Sequence, residues 1–183
     1  MKFNHLKGYE SVTLPTETID GKRYYTTPEG KHYPSVTSVT GLLNRKSIAA
    51  WRKWVGEEQA NKISSQAANR GTRYHYMMED FINNIDIDEK LSKATPLDQM
   101  MFNQTRDITE KLGDIYMLEG SLYSDELMMA GRVDCIADFA GKISVIDFKT
   151  STKRKPPSHC KSYFIQETAY AKMFEERYQI PIE

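Results

Sequence analysis

Apolar and polar positions divide this chain into segments of different period. From Tyr24 to Val39 it is rich in Tyr, Thr and Val and punctuated by Pro28, Gly30 and Pro34, which predicts a short hairpin or extended arm. Ser38 or Ser47 is a candidate cap for the helix that follows, because a serine hydroxyl can accept from the free N–H groups of a first turn. Between Ser47 and Asn69, Ile48, Trp51, Val55 and Gln59 share one helical face, which Ala60 and Ile63 continue. Gly71-Thr72 is expected to break that helix. Thr72 then caps a second one with His75, Met78, Glu79 and Ile82 along one side. Asn83 to Lys93 reads as a polar connection.

Thr95-Pro96-Leu97-Asp98 is a helix start, with a cap, a proline at the first position and an acid in the first turn. Leu97, Met100, Met101, Gln104, Ile108 and Leu112 make the next stripe, and Gly113 is expected to end it. Three strands follow, Ile115 to Tyr123, Leu127 to Phe139 and Lys142 to Thr150, with Gly141 making the last turn. After Pro156-Pro157 a final helix runs from about Ser162 to Tyr178, with Phe164, Thr168, Ala171 and Phe174 as buried candidates. Ile180 to Glu183 resembles the start of another strand. The expected class is α/β, a small central mixed β-sheet flanked by helices.

Candidate chemistry collects at the last hairpin. Asp134 lies in Gly131-Arg132-Val133-Asp134 and Asp147 in Ile146-Asp147-Phe148-Lys149, so two acids stand near the same end of adjacent strands. In a strand Lys149 shares a face with Asp147. A strand acid is usually a solvent-facing residue, and a same-face ion pair also explains Asp-x-Lys. Asp147, however, sits in an otherwise apolar strand, where an unpaired charge is costly. Two carboxylates and an ammonium on one face suit metal-assisted phosphodiester hydrolysis.

Composition narrows the rest. The 183 residues make one domain, 1–183, with an N-terminal β/helical arm over about 1–70. No apolar run approaches the roughly 20 residues that span a bilayer, and no secretory leader is evident, so a cytoplasmic location is expected and no membrane partner. Acids and bases balance at 25 each, but Lys142 to Lys161 carries six bases and one acid. That stretch is a solvated loop or a phosphate-binding one. Cys135 and Cys160 cannot form a four-thiolate site and are expected to be free thiols, Cys135 in a strand and Cys160 in a loop.

In order and spacing these motifs resemble the PD-(D/E)XK nuclease superfamily. The likeness is greatest to its RecB-like exonuclease branch, in particular the mitochondrial-type group and its phage relatives. It covers roughly Tyr33 to Tyr178. It rests on Asp134, Asp147, Lys149, Gln166-x-x-x-Tyr170 and Arg70-Gly71-Thr72-x-x-His75, with Glu79 one turn on. Tyr33-Pro34-Ser35-Val36-Thr37 and the Trp51 to Gly56 segment match that group as well.

The resemblance implies a restriction-endonuclease-like core and Mg²⁺ or Mn²⁺ held by His75, Asp134, Asp147 and the Phe148 carbonyl. Glu79 is either a further ligand or a surface acid. Lys149 would complete the catalytic set. Gln166, Tyr170, Lys153, Arg154, Lys155 and Arg70 would contact DNA. Tyr33, Trp51 and Trp54 are base-stacking or core residues. No iron–sulfur cluster is expected.

The implied activity is a DNA exonuclease on single strands or flaps, in replication, repair or recombination, in a phage setting within the host cytoplasm. A structure-specific endonuclease of the same superfamily and a non-catalytic nucleic-acid-binding module are the alternatives. Members of the branch continue with a further strand and helix, so the C-terminus is expected to be incomplete.

Overall fold

The computed structural model describes residues 2–153 and 155–182. Three short strands come first: β1 (Thr16–Ile19), β2 (Lys22–Thr26) and β3 (His32–Pro34) form an antiparallel sheet in that order. Helix α1 (Val36–Val55) starts on Ser35, whose extended backbone and hydroxyl receive the Ser38 N–H at 3.0 Å. The cap is therefore neither Ser38 nor Ser47. The Ser38 hydroxyl is taken by the Arg23 N–H, and the Ser47 hydroxyl returns to the Asn44 carbonyl within the helix.

The break between the first two helices falls at Gly56, with φ 86° and ψ 147°, a conformation natural to glycine. Helix α2 (Glu57–Ile82) then runs through Gly71-Thr72 without interruption, so Thr72 is a helix-interior residue and not a cap. A helical glycine costs only about 1 kcal/mol against alanine. The buried face of Tyr74, Met77, Met78 and Ile82 outweighs it. Residues 41–50 of α1 are exposed throughout, so Ile48 does not pack inward, and Trp54 is 83% exposed. Tyr33 is buried and donates to Asp125 at 2.5 Å.

A one-turn helix, α3 (Asp88–Ser92), interrupts the connection expected to be irregular. Helix α4 (Pro96–Thr109) begins as its motif predicts, the Thr95 hydroxyl accepting the Asp98 N–H at 3.2 Å. Its buried face is not the expected stripe. Asp98, Phe102 and Thr109 turn inward, while Leu97, Met100 and Ile108 are exposed. Asp98 sets this rotation: its carboxylate, 2% exposed, receives Arg73 Nε at 2.8 Å and Nη2 at 3.2 Å from α2.

The main sheet is antiparallel in the order β4-β5-β6, from β4 (Leu112–Ser124), β5 (Met129–Phe139) and β6 (Lys142–Ile146). Ala140 and Gly141, with φ 53° and 82°, make the two-residue turn between β5 and β6. The α/β class holds, although both named sheets pair antiparallel. Among the described residues parallel pairing is confined to isolated bridges, His5 with Ile115 and Ser35 with Ala130. The first bridge ties the N-terminal segment to β4 through Leu6 N–H to Ile115 O at 2.8 Å.

Helix α5 (Lys161–Tyr178) packs Tyr170, Met173 and Phe174 against Leu122, Val133 and Ile136. A second cluster joins Ile115, Cys135 and Ala137 to Phe3 and Ile82. Fully burying a side chain such as Leu122 or Phe174 contributes about 1.5–3 kcal/mol. On α5, Phe164 and Thr168 are exposed and Ala171 is half-buried, whereas Gln166, Ala169, Tyr170, Met173 and Phe174 face in. Both cysteines are free, and burial pushes the Cys135 thiol up to about 12. Among the described residues no helix is long and apolar enough to cross a membrane.

The Arg73–Asp98 clamp joining α2 to α4 yields a pH-dependent expectation. Arg73, ahead of every other influence, holds the Asp98 carboxyl below its ordinary value of 3.8. Its stabilisation is therefore present above that value and lost as pH falls through the lowered one. Asp98→Ala should lose about 1.5–3 kcal/mol at neutral pH, the scale of a charged hydrogen-bonded contact. Urea titrations at pH 7 and at a series of lower pH values check this: the gap between wild type and variant should hold down through 3.8 and narrow only at lower pH.

Candidate active site

β6 ends at Ile146, so Asp147, Phe148 and Lys149 lie just beyond the strand, not within it as expected. They remain beside β5. The Phe148 N–H donates to Asp134 Oδ2 at 2.8 Å, which binds the segment after β6 to the acid on β5. On Asp147, whose side chain is 3% exposed, Oδ1 receives Lys149 Nζ at 2.6 Å and Gln166 Nε2 at 2.9 Å. Its Oδ2 is buried and has no hydrogen-bond partner among the described residues.

Asp134 is also largely buried. Burial first, and then the neighbouring Asp147, pushes its carboxyl from 3.8 up to about 6, against the opposing pull of His75 and the Phe148 N–H. His75, on α2, places Nδ1 3.6 Å from Asp134 Oδ2 and 3.9 Å from Glu119 Oε1. Glu119 and then Asp134 raise its pKa. The Phe148 ring stands edge-on to His75 at 6.4 Å and to Tyr74 at 6.3 Å, closing the apolar side. His75, Glu119 and Asp134 each offer one ligand atom, and these atoms lie within 4.8 Å of one another.

Glu119 is the residue that the sequence did not disclose. It sits on β4 between Leu118 and Gly120, which pair with Cys135 and Val133, and so stands opposite Asp134. Its φ of 49° is unusual for a residue with a side chain, and Gly120 follows with Met117 lying over it. Arg132 Nε holds Glu119 Oε2 at 2.8 Å. The only local signal is Glu119-Gly120 within an apolar strand.

Two clefts flank the acids. One of about 450 Å³ is lined by Tyr74, Asp147, Lys149, Lys153, Lys155 and Tyr163, among others. The other, about 310 Å³, has Thr72, His75, Tyr76, Glu79, Glu119 and Arg132 on its walls. Glu79 is half-buried there, its carboxyl raised by burial and then by Glu119.

The remaining expected site residues divide. Gln166 reaches Asp147, the oxygen that Lys149 also holds, and does not face solvent. Tyr170 is 2% exposed and packs where a side chain on Gly131 would be, its atoms 2.7 Å from that absent β-carbon. It therefore presents no hydroxyl to the surface. Phe148 engages Asp134 by its N–H; no contact of its carbonyl with the acids is seen among the described residues. Arg70 is half-buried with Nε unpartnered, on the side of α2 that influences Asp98. Lys153 and Lys155 are exposed, and Lys155 Nζ lies 4.8 Å over the Tyr163 ring and bonds its hydroxyl. Arg154 lies outside the described residues.

With this geometry in place, comparison with known proteins adds a second line. The chain is similar to mitochondrial genome maintenance exonuclease 1. It is 27% identical to the Homo sapiens protein over 147 residues, which cover 74% of this chain and 39% of that protein. Against the Xenopus tropicalis protein it is 29% identical over 166 residues, covering 82% and 47%. The Mus musculus protein is 25% identical over 134 residues, 67% and 39%. No family model matches the chain. The matched region thus spans less than half of each of these relatives, and they support a nuclease function at low identity.

The strained acid can be measured directly. Because the folded-state pKa of Asp134 is raised, the wild type loses stability as pH rises from 3.8 to about 6. In EDTA, Asp134→Asn should therefore be more stable than wild type by roughly 1–3 kcal/mol at pH 8, with no advantage at pH 3.5. Thermal melts at the two pH values decide it. An advantage of equal size at both would remove ionisation as the cause.

Proposed function

We propose that this chain is a metal-dependent DNA exonuclease acting on single strands or flaps. The observation that carries the reading is the Asp134–Asp147 pair. Asp147 helps to raise the Asp134 carboxyl to about 6, and its own buried Oδ2 has no hydrogen-bond partner among the described residues. Like charges this close are costly without a counter-charge. Lys149 and Gln166 engage Oδ1 of Asp147, and of the two aspartates the recorded approach of His75 is to Asp134. The donor set, one imidazole and two carboxylates, fits Mn²⁺ or Mg²⁺. His75, Asp134 and Asp147 would hold such a cation, which when bound would acidify water and polarise a phosphoryl oxygen.

The chain's own groups supply the rest. Gln166 keeps Asp147 oriented from α5. Lys149, 36% exposed at the edge of the larger cleft, is placed to neutralise charge developing on phosphate. Lys153 and Lys155 on the same cleft suit sequence-independent contacts to the backbone of DNA. That the similar proteins are named exonucleases supports the choice of substrate and of end-dependent cleavage.

The test is end-labelled linear and circular single-stranded DNA with Mg²⁺, Mn²⁺ or EDTA. Linear DNA should be degraded with either metal, and EDTA should stop it. Cleaved circles would make the protein an endonuclease, and no cleavage under any condition would sink the reading. Lys149→Ala should lower kcat by roughly 10²–10³ while DNA affinity changes far less. A change confined to KM would make the lysine a binding contact only.

Lys153→Ala/Lys155→Ala should weaken DNA binding on every sequence. It should also flatten the plot of log affinity against log salt by roughly 0.7 per lysine on single strands. Fluorescence anisotropy at several salt concentrations reads both, and identical slopes would return the loop to solvent.

A further inference from the structure

The carboxylate of Glu119 is divided between two neighbours. Oε2 meets Arg132 Nε at 2.8 Å, and Oε1 points the other way, 3.9 Å from His75 Nδ1. The side chain is 16% exposed, and the residue holds a left-handed backbone opposite Asp134. Its inward oxygen shares a 4.8 Å cluster with His75 and Asp134. A second, independent observation lies beside the cluster: Asp147, next to the Phe148 whose N–H donates to Asp134 Oδ2 at 2.8 Å, has a buried Oδ2 with no hydrogen-bond partner among the described residues.

We infer that Glu119 is a further ligand of the cation centre through Oε1, and that Arg132 is the positioning residue that holds this oxygen inward by gripping Oε2. The inference rests on the reading of Asp134 and Asp147 as a metal centre. It adds β4 to the elements that bind the cation.

The physical argument is one of orientation. A glutamate carries three side-chain torsions, and ligation needs one oxygen fixed within a few tenths of an ångström. Ligating carboxylates are held by hydrogen bonds to the oxygen they do not offer. Arg132 holds that other oxygen by an ion pair from β5, two residues before Asp134, so the strand that carries one acid also aims the other. The Arg132 side chain is 53% exposed beside the smaller cleft and meets Glu119 Oε2 through Nε at 2.8 Å. The positive φ of 49° at position 119 is an unfavourable backbone for a residue with a side chain. It is offset if the aimed carboxylate binds a cation.

The experiment is calorimetric titration of Mn²⁺ into metal-stripped wild type, Glu119→Gln, Arg132→Lys, the double variant and Asp134→Asn, each shown folded by circular dichroism. Glu119→Gln, which keeps shape and loses charge, should weaken Mn²⁺ binding at least about tenfold. Arg132→Lys keeps the charge but loses the planar donor. It should weaken binding several-fold in the wild-type background and not at all in Glu119→Gln, because it acts through Glu119. Unchanged Mn²⁺ affinity in Glu119→Gln would make Glu119 merely the counter-ion of Arg132 and overturn the inference. An Arg132→Lys effect of equal size in both backgrounds would overturn the positioning role. Asp134→Asn separates the two levels: if it also leaves Mn²⁺ binding intact, the metal-centre reading itself fails. If it abolishes binding while Glu119→Gln does not, only the present inference fails.

Discussion

The pairing of two carboxylates away from water is the constraint around which this molecule is arranged. Asp134 lies within β5 and Asp147 just beyond β6, yet they are close enough that Asp147 disfavours the ionisation of the buried Asp134. Three elements converge to make that arrangement tolerable. The segment after β6 supplies the Phe148 N–H and Lys149, α5 supplies Gln166, and α2 supplies His75. None of these groups is positioned by its own element alone. Each depends on the packing of α2 and α5 against the β4-β5-β6 sheet.

That dependence explains which parts of the site were legible in the sequence. Asp134, Asp147 and Lys149 belong to one hairpin, closed by Ala140-Gly141 with two positive φ values. Their proximity follows from local chain geometry, and the hairpin was readable for that reason. The start of α4 at Thr95-Pro96 was readable on the same ground, since a cap is a contact within one turn. Glu119 was not. Its approach to His75 spans β4 and α2, and it needs an unusual backbone angle that no periodicity announces.

Other departures have the same origin. Gly56 and Gly71 are equally good helix breakers on paper. Only Gly56 takes a positive φ, because Gly71 lies in the part of α2 that leads into its buried face. The inward side of α4 was displaced because an acid, not an apolar residue, anchors it: Asp98 is buried by virtue of Arg73, a partner on another helix. On α5 a glutamine turns inward for a similar reason, since Asp147 awaits it, while Phe164 stays at the surface. Hydrophobic pattern alone therefore found α4 and α5, misplaced the start of α1 and the break before α2, missed α3, and assigned faces poorly wherever a buried polar pair was the stronger determinant.

Gly131 and Tyr170 carry a further consequence. The ring of Tyr170 occupies the space that any larger residue at 131 would claim. Tyr170 stands one helical turn after Gln166 on α5, and Gly131 stands three residues before Asp134 on β5. The contact thus works as a dowel between helix and strand. It removes the slack that would let one slide past the other, so the reach of Gln166 to Asp147 and the placement of Asp134 share a common datum. A helix free to shift by half a turn would carry the same residues but lose their alignment, and the smallest side chain in the neighbourhood is what denies it that freedom.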